Sequence, residues 1–254
     1  MLETYIRKKL EEKKILLMTH IVIGYPSMEA SYEIIKAMVS AGVDLMELQI
    51  PFSEPIADGP VILKANQESL AHGTQVRQCL DLAARAAKDF HIPFLIMTYY
   101  NILFKFGVTA FAQAMAQREL RGAIVPDLPH EEGAEYLQAM KQNQLAPIFI
   151  YAPTTGEARM REIAGHAQGF IYCVARKGVT GQQTDFSKPL EGYLARCRQA
   201  TSLPLALGFG VKDRADIDYL TGKVEIAVIG TQTIKVVEEK GVAAVGEFIE
   251  GLRG

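Results

Sequence analysis

Glu47 stands inside the apolar run LMELQI (45–50), where burying a carboxyl is costly unless it has a partner or a task. Set among Leu45, Met46 and Leu48, such a group is suited to proton transfer. A second carboxyl, Asp58, follows in SEPIADGP (53–60), a loop ruled by Pro51, Pro55 and Pro60. Two acids on one short segment could divide acid and base work between them. Spacing alone leaves a plainer reading of Asp58 open, because Asp-Gly-Pro is an ordinary turn. The residue would equally cap a helix beginning VILKANQES.

A different chemistry is suggested further along, in ARKGVTGQQTDFSKP (175–189), GFGVK (208–212) and IGTQT (229–233). One glycine alone serves a tight turn. Two clusters after the last two apolar runs are what a phosphate site needs. Gly208, Gly210 and Gly230 would let the main chain approach an anion, and Thr231 would offer a hydroxyl at a helix start. The polar segment from Arg176 to Pro189 has the length of a lid, with Thr180 between Gly178 and Gly181 placed to meet a ligand. Lys177 raises a competing idea, a Schiff base with a carbonyl substrate as in a class I aldolase barrel. It lies beyond the apolar run and beside a glycine, which suits a solvated or anion-steering lysine better.

These groups must be held by regular elements. Apolar runs at 15–23, 43–50, 92–99, 122–126, 146–151, 169–175, 203–208 and 224–230 read as strands, continuous in character as strands buried on both faces are. Helical periodicity fills the intervals. Ile34, Ile35 and Met38 share a stripe that should stop at Gly42, and PHEEGAEYLQAMKQNQ should open with acids in its first turn. Eight such units predict an α/β fold, a single-domain (β/α)8 TIM barrel over 1–254. A doubly wound sheet is the alternative, but IGYPSM after the first strand lacks a dinucleotide fingerprint. In a barrel, chemistry belongs at the C-terminal ends of the strands, where Glu47 and the glycine clusters fall.

Bulk properties narrow the partners. The 254 residues are 49% hydrophobic and 22% charged, with a net charge of −2, so neither nucleic acid nor an anionic membrane surface is an electrostatic partner. IRKKLEEKK (6–14) mixes both signs at helical spacing, as a solvated helix face does. Three cysteines without paired spacing suit a reducing cytoplasm and suggest no metal. The N-terminus does not resemble a signal peptide, and no apolar run approaches the ~18 residues of a membrane helix.

Taken in order, ELQIPFSEPIADGP (47–60), VPDLPHEE (125–132), ARKGVTG (175–181), LGFGVK (207–212) and VIGTQTI (228–234) resemble the tryptophan synthase alpha subunit family across nearly the whole chain. The resemblance implies a barrel that cleaves indole-3-glycerol phosphate to indole and glyceraldehyde 3-phosphate by retro-aldol chemistry. On that reading Glu47 is the principal acid/base and Asp58 the partner of the indole N–H. Tyr172 falls near the reacting centre, and Thr180 helps order the site. Gly181, Phe209, Gly210, Gly230 and Thr231 match the phosphate site, with serine usual at position 231. Tyr99 and Asp127 line or support the pocket. Ile62, Met97, Ile124 and Val228 form its apolar wall or simply core. No cofactor is implied in this chain. Pyridoxal phosphate would belong to a beta subunit that receives indole within an alpha2beta2 heterotetramer, contacted through the loop at about 51–60 and the lid at about 176–189. Glu54 stands where aspartate is usual. An alternative keeps the chain mainly as an allosteric activator of the beta subunit, with weak or altered lyase activity.

Three positions depart from the family pattern. Gln49 replaces a usual glycine, His20 a usual phenylalanine and Leu63 a usual glutamine. His20 and Gln49 fall on neighbouring strands, so they are expected either to pack against each other or to hydrogen-bond in a way that alters the pocket around Glu47.

Overall fold

The computed structural model describes residues 1–175, 188–208 and 210–253. Each apolar run contains a strand: β1 (Leu16–Val22), β2 (Leu45–Gln49), β3 (Phe94–Met97), β4 (Gly122–Ile124), β5 (Ala146–Tyr151), β6 (Ile171–Val174), β7 (Leu205–Gly208) and β8 (Ile226–Ile229). They pair in parallel in chain order, and β8 closes on β1. The fold is therefore the (β/α)8 barrel that the alternation of runs predicts.

Side chains alternate across each strand, so every second residue enters the barrel. Leu16, Met18, Leu45, Leu95, Ile148, Phe170, Ala206 and Ile226 form the inner cluster. Leu17, Met46, Leu48, Ile96, Ile171 and Leu207 belong to the outer cluster between sheet and helices. Both faces are apolar, which is why the runs read as continuous.

The N-terminal end of the barrel is plugged. Helix Leu2–Glu12 buries Leu2 and Ile6 in the inner cluster, leaving Arg7 and Lys8 exposed. Each such buried apolar side chain stabilises by about 2 kcal/mol. Asp44, just before β2, is 2% exposed and ties this end together. It accepts from the Leu17 amide at 2.9 Å and pairs with Lys13 Nζ at 2.5 Å and Arg253 Nη2 at 2.7 Å.

Helix boundaries follow local chemistry, with three differences from expectation. Helix Met28–Ser40 is capped by the Ser27 side chain and stops before Gly42, whose φ of 89° favours glycine. Helix Ala134–Gln142 starts later than its acids suggest. Glu131 lies in the preceding turn, paired with Arg159, because His130–Gly133 closes a hydrogen-bonded turn first. The helical stretch expected in TIKVVEEKGVAAVGEFIEGL (233–252) starts earlier and splits at Gly241, into helices Thr231–Lys240 and Ala244–Arg253. Helix Lys188–Ala200 begins inside the expected lid segment.

Removing the Asp44 carboxylate leaves the buried Leu17 amide without its acceptor. Asp44→Ala is expected to lower stability by about 2–4 kcal/mol, while Lys13→Ala costs under about 1 kcal/mol because Lys13 reaches solvent. Urea unfolding checks both; an Asp44→Ala midpoint equal to that of the parent chain overturns the assignment.

Candidate active site

Above the apolar inner layer, the same inward alternation carries polar groups. It runs Leu16, Met18, His20 on β1 and Leu45, Glu47, Gln49 on β2. Of these, His20 and Glu47, with Met97, Ile124, Ile150, Tyr172 and Val228, line one cavity of about 320 Å³ at the C-terminal halves of the strands. That volume suits a small organic ligand.

Glu47 is the third residue of β2, not its end, and is 3% exposed. Register places it opposite His20, whose Nδ1 lies 3.0 Å from Glu47 Oε1. The Tyr172 hydroxyl donates to the same oxygen at 3.5 Å. Glu47 Oε2 is buried without a hydrogen-bond partner among the described residues. One oxygen is thus fixed by protein while the other keeps its full hydrogen-bonding capacity. Burial works against a charge on His20, but the hydrogen bond and charge of Glu47, with Asp58 and Gln49, outweigh it and raise the imidazole pKa. Burial first, and then the charges of Glu47 and Asp58, hold the Tyr172 phenol well above its ordinary range, so it remains a donor.

Asp58 does not cap the helix that follows it. Helix Pro60–Ala71 is capped at Gly59 with no side-chain bond, and Asp58 turns inward instead. Its Oδ2 accepts from Gln49 Nε2 at 2.6 Å and from the Tyr99 hydroxyl at 3.2 Å. The loop is held on the same groups. Tyr99 Oη accepts from the Ala57 amide at 3.1 Å, Phe52 stacks on the Tyr99 ring, and Asn66 accepts from the Phe52 amide at 2.9 Å. Burial pushes the Asp58 carboxyl above its ordinary range, and Gln49, the His20 charge and Tyr99 offset this only in part.

At the other side of the cavity lie Gly210, Gly230 and Thr231, where helix Thr231–Lys240 presents its N-terminus. The positive end of that helix's dipole, the exposed Lys212 and the half-buried Lys235 make this side suited to an anion. Gly210 has φ of 102°, a conformation that favours glycine. Gly208 has another purpose than the one its sequence context suggests. A Cβ there would stand 2.5 Å from the Tyr172 ring, so the glycine makes room for that ring.

Glu47, Asp58, Ile62, Tyr172, Gly210, Gly230 and Thr231 therefore surround one cavity. Tyr99 supports Asp58 from beneath the loop, and Asp127 accepts from the Tyr100 amide at 2.9 Å; neither lines the cavity. Lys177, Thr180, Gly181 and Phe209 lie outside the described residues. Leu63 is half-buried off the cavity, and nothing in the structure explains it. Ile150 and Lys235 escape the motif reading. Their signals are weak: Ile150 is two positions beyond the inward Ile148, and Lys235 is one helical turn beyond Thr231.

Among the described residues, His130, Glu131 and Glu162 have ligand atoms within 4.8 Å of one another. Arg159 already pairs with both glutamates, so a guanidinium occupies that space, and none of the three lines the cavity.

Comparison with known proteins adds a consistent family. The family described as "Tryptophan synthase alpha chain" matches residues 6–248. The tryptophan synthase alpha chain of Syntrophotalea carbinolica is 65% identical, over 100% of both chains. A solved Mycobacterium tuberculosis tryptophan synthase superposes with a TM-score of 0.92 at 28% identity, covering 100% of this chain and 98% of that one. A tryptophan synthase complex from Pyrococcus furiosus gives a TM-score of 0.87 at 26% identity, covering 94% and 98%.

A carboxyl whose pKa rises on folding favours the folded state while protonated, and that contribution is lost as pH rises through the folded pKa. Ionised Asp58 therefore weighs against folding at neutral pH. Asp58→Asn is expected to unfold at higher urea than the parent chain near pH 7, with the gain shrinking as pH falls toward about 4. A gain that does not change with pH contradicts this.

Proposed function

Since the chain belongs to the tryptophan synthase alpha chain family, we propose that Glu47 is its principal acid/base and Asp58 its partner for the indole N–H. The reaction is a carbon–carbon lyase step, cleavage of indole-3-glycerol phosphate to indole and glyceraldehyde 3-phosphate. Indole then passes to the beta subunit, which carries the pyridoxal phosphate, within the alpha2beta2 assembly.

Cleavage needs a proton delivered to the indole carbon that bears the side chain and a proton removed from the neighbouring glycerol hydroxyl. The two transfers cancel, so one group that donates and then accepts ends as it began. Carrying this reading is Oε2 of Glu47, buried and without a hydrogen-bond partner among the described residues, while Oε1 is held by His20 and Tyr172. As C3 is protonated, positive charge develops on the ring nitrogen. Asp58, fixed by Gln49 and Tyr99, is placed to stabilise it.

Ile62, Met97, Ile124 and Val228 supply the apolar wall for the ring. The phosphate would lie against Gly210, Gly230 and Thr231 at the helix N-terminus, with Lys212 and Lys235 adding charge. Residues 51–60 would meet the beta subunit, through exposed Glu54 and through Ile56, which is 73% exposed. No described helix is long and apolar enough to cross a membrane. The three free buried thiols suit a cytoplasmic setting.

Indole release from indole-3-glycerol phosphate, with and without added beta subunit, tests the assignment. Glu47→Gln should lower kcat by about 10²–10⁴-fold, and Asp58→Asn by about 10²-fold, with smaller changes in KM. Gly210→Val should instead raise KM. Near-parental turnover by Glu47→Gln would falsify its role as the acid/base.

A further inference from the structure

Two enclosed side chains hold the carboxylates and transfer no proton in the steps above. His20 is 3% exposed and meets Glu47 Oε1 through Nδ1 at 3.0 Å. Gln49 is fully buried and gives its amide nitrogen to Asp58 Oδ2 at 2.6 Å. The β1–β2 register sets His20 against Glu47 and Val22 against Gln49, so His20 and Gln49 are diagonal neighbours on the inward face. What remains of each is one buried atom with no hydrogen-bond partner among the described residues, His20 Nε2 and Gln49 Oε1. When the imidazole is protonated these are a donor and an acceptor. Gln49 is among the groups that help His20 keep its proton, although the two stop short of full hydrogen-bond geometry.

We propose that His20 and Gln49 are positioning residues that tie Glu47 and Asp58 into one polar chain, through which the protonation of either carboxylate is felt at the other. The proposal rests on the roles given above to those two acids.

Its physical basis is the cost of the arrangement. A buried imidazole and a buried amide are expensive in a barrel interior unless their bonds are made. Apolar or small residues would fill the same layer more cheaply. Here the cost is offset by two aimed bonds, each on a different carboxylate. His20 and Tyr172 converge on Oε1 of Glu47 and so fix which oxygen is left for substrate. Gln49 reaches from the rigid strand to an acid carried on a loop.

The charges facing His20 favour this. Glu47 comes from β2, Asp58 from the loop after it, and the Tyr172 hydroxyl from β6. Helix Thr231–Lys240 contributes the Thr233 hydroxyl, which binds the His20 carbonyl at 3.1 Å. The same helix carries Lys235, and Lys212 also lines the cavity. Glu47 is the direct neighbour and Asp58 acts through its charge, so a protonated His20 sits in a net attractive field.

The test uses the chain bound to its beta subunit and follows kcat and KM for indole release across pH. It compares His20→Phe, Gln49→Gly, their double variant and the conservative His20→Asn. Gln49→Gly should move the acid limb of kcat/KM to higher pH, because Asp58 loses a donor that lowers its pKa. His20→Phe should move the same limb in the same direction, because Asp58 loses a nearby positive charge. His20→Asn keeps a polar group near Nδ1 but no titrating charge, so it should recover kcat relative to His20→Phe without restoring the limb. The double variant should retain a kcat about 10-fold above the product of the two single losses, as expected for residues in one network. Unmoved limbs with single losses that multiply would show two independent packing residues and overturn the proposal. Should a His20 variant fail to fold, the limb shift of Gln49→Gly decides alone. The Glu47→Gln control separates the two levels. If that variant stays active, the acid/base assignment fails; if it is inactive while the limbs do not move, only the polar chain fails.

Discussion

The register between β1 and β2 is the constraint on which the cavity depends. It sets His20 opposite Glu47 and turns both into the barrel. Side chains alternate with a period of two, so a slip of one residue would send Glu47 outward among the helices and bring Met46 or Leu48 into the site. Closure of β8 on β1 then fixes the position of β1 from its other side. No loop adjustment could substitute for this.

Such a register has to be held firmly, because the upper layer works against stability. His20, Glu47, Gln49 and Asp58 are buried polar groups, and three of their atoms have no partner among the described residues. Compensation comes from below. The inner cluster is apolar, the first helix plugs the barrel with Leu2 and Ile6, and Asp44 binds the start of β2 to Lys13, Leu17 and Arg253. Asp44 and Glu47 illustrate the division within one segment. The first has its oxygens engaged by structural partners; the second keeps one oxygen without any among the described residues. Stability lies at the N-terminal ends of the strands and chemistry at the C-terminal ends.

The loop at 51–60 would be a poor support for a reactive carboxyl if it were held only by its prolines. It is instead clamped from beneath. Tyr99 receives the Ala57 amide and donates to Asp58, Asn66 receives the Phe52 amide, and Gln49 reaches Asp58 from the strand. A loop residue is thereby positioned by groups on β2, on the segment after β3 and on the following helix. Across the cavity the reverse holds: under the proposed function, backbone at a helix start and two lysines would receive the anionic end of a ligand, with little need for precise aim.

Much of this is legible in the sequence. Continuous apolar runs separated by helical periodicity specify parallel strands covered on both faces, and eight of them in this length favour a barrel over a doubly wound sheet. Glu47 stands out because a carboxyl in such a run requires a reason. Gly210 and Thr231 stand out because phosphate sites need bare backbone and a helix start. Asp58 could not be assigned from spacing, since a capping aspartate and an inward one look alike before the chain folds. The same limit hid the purpose of Gly208, which depends on a tyrosine from the neighbouring strand, and the place of Lys235, which one helical turn carries to the cavity. His20 and Gln49 were visible as departures from a family pattern, but the acid each would touch was not. By itself, the sequence determined which residues of a strand share a face, because a strand's period of two is local. Which inward residues meet was decided only by the tertiary structure, because register and closure are properties of the whole sheet.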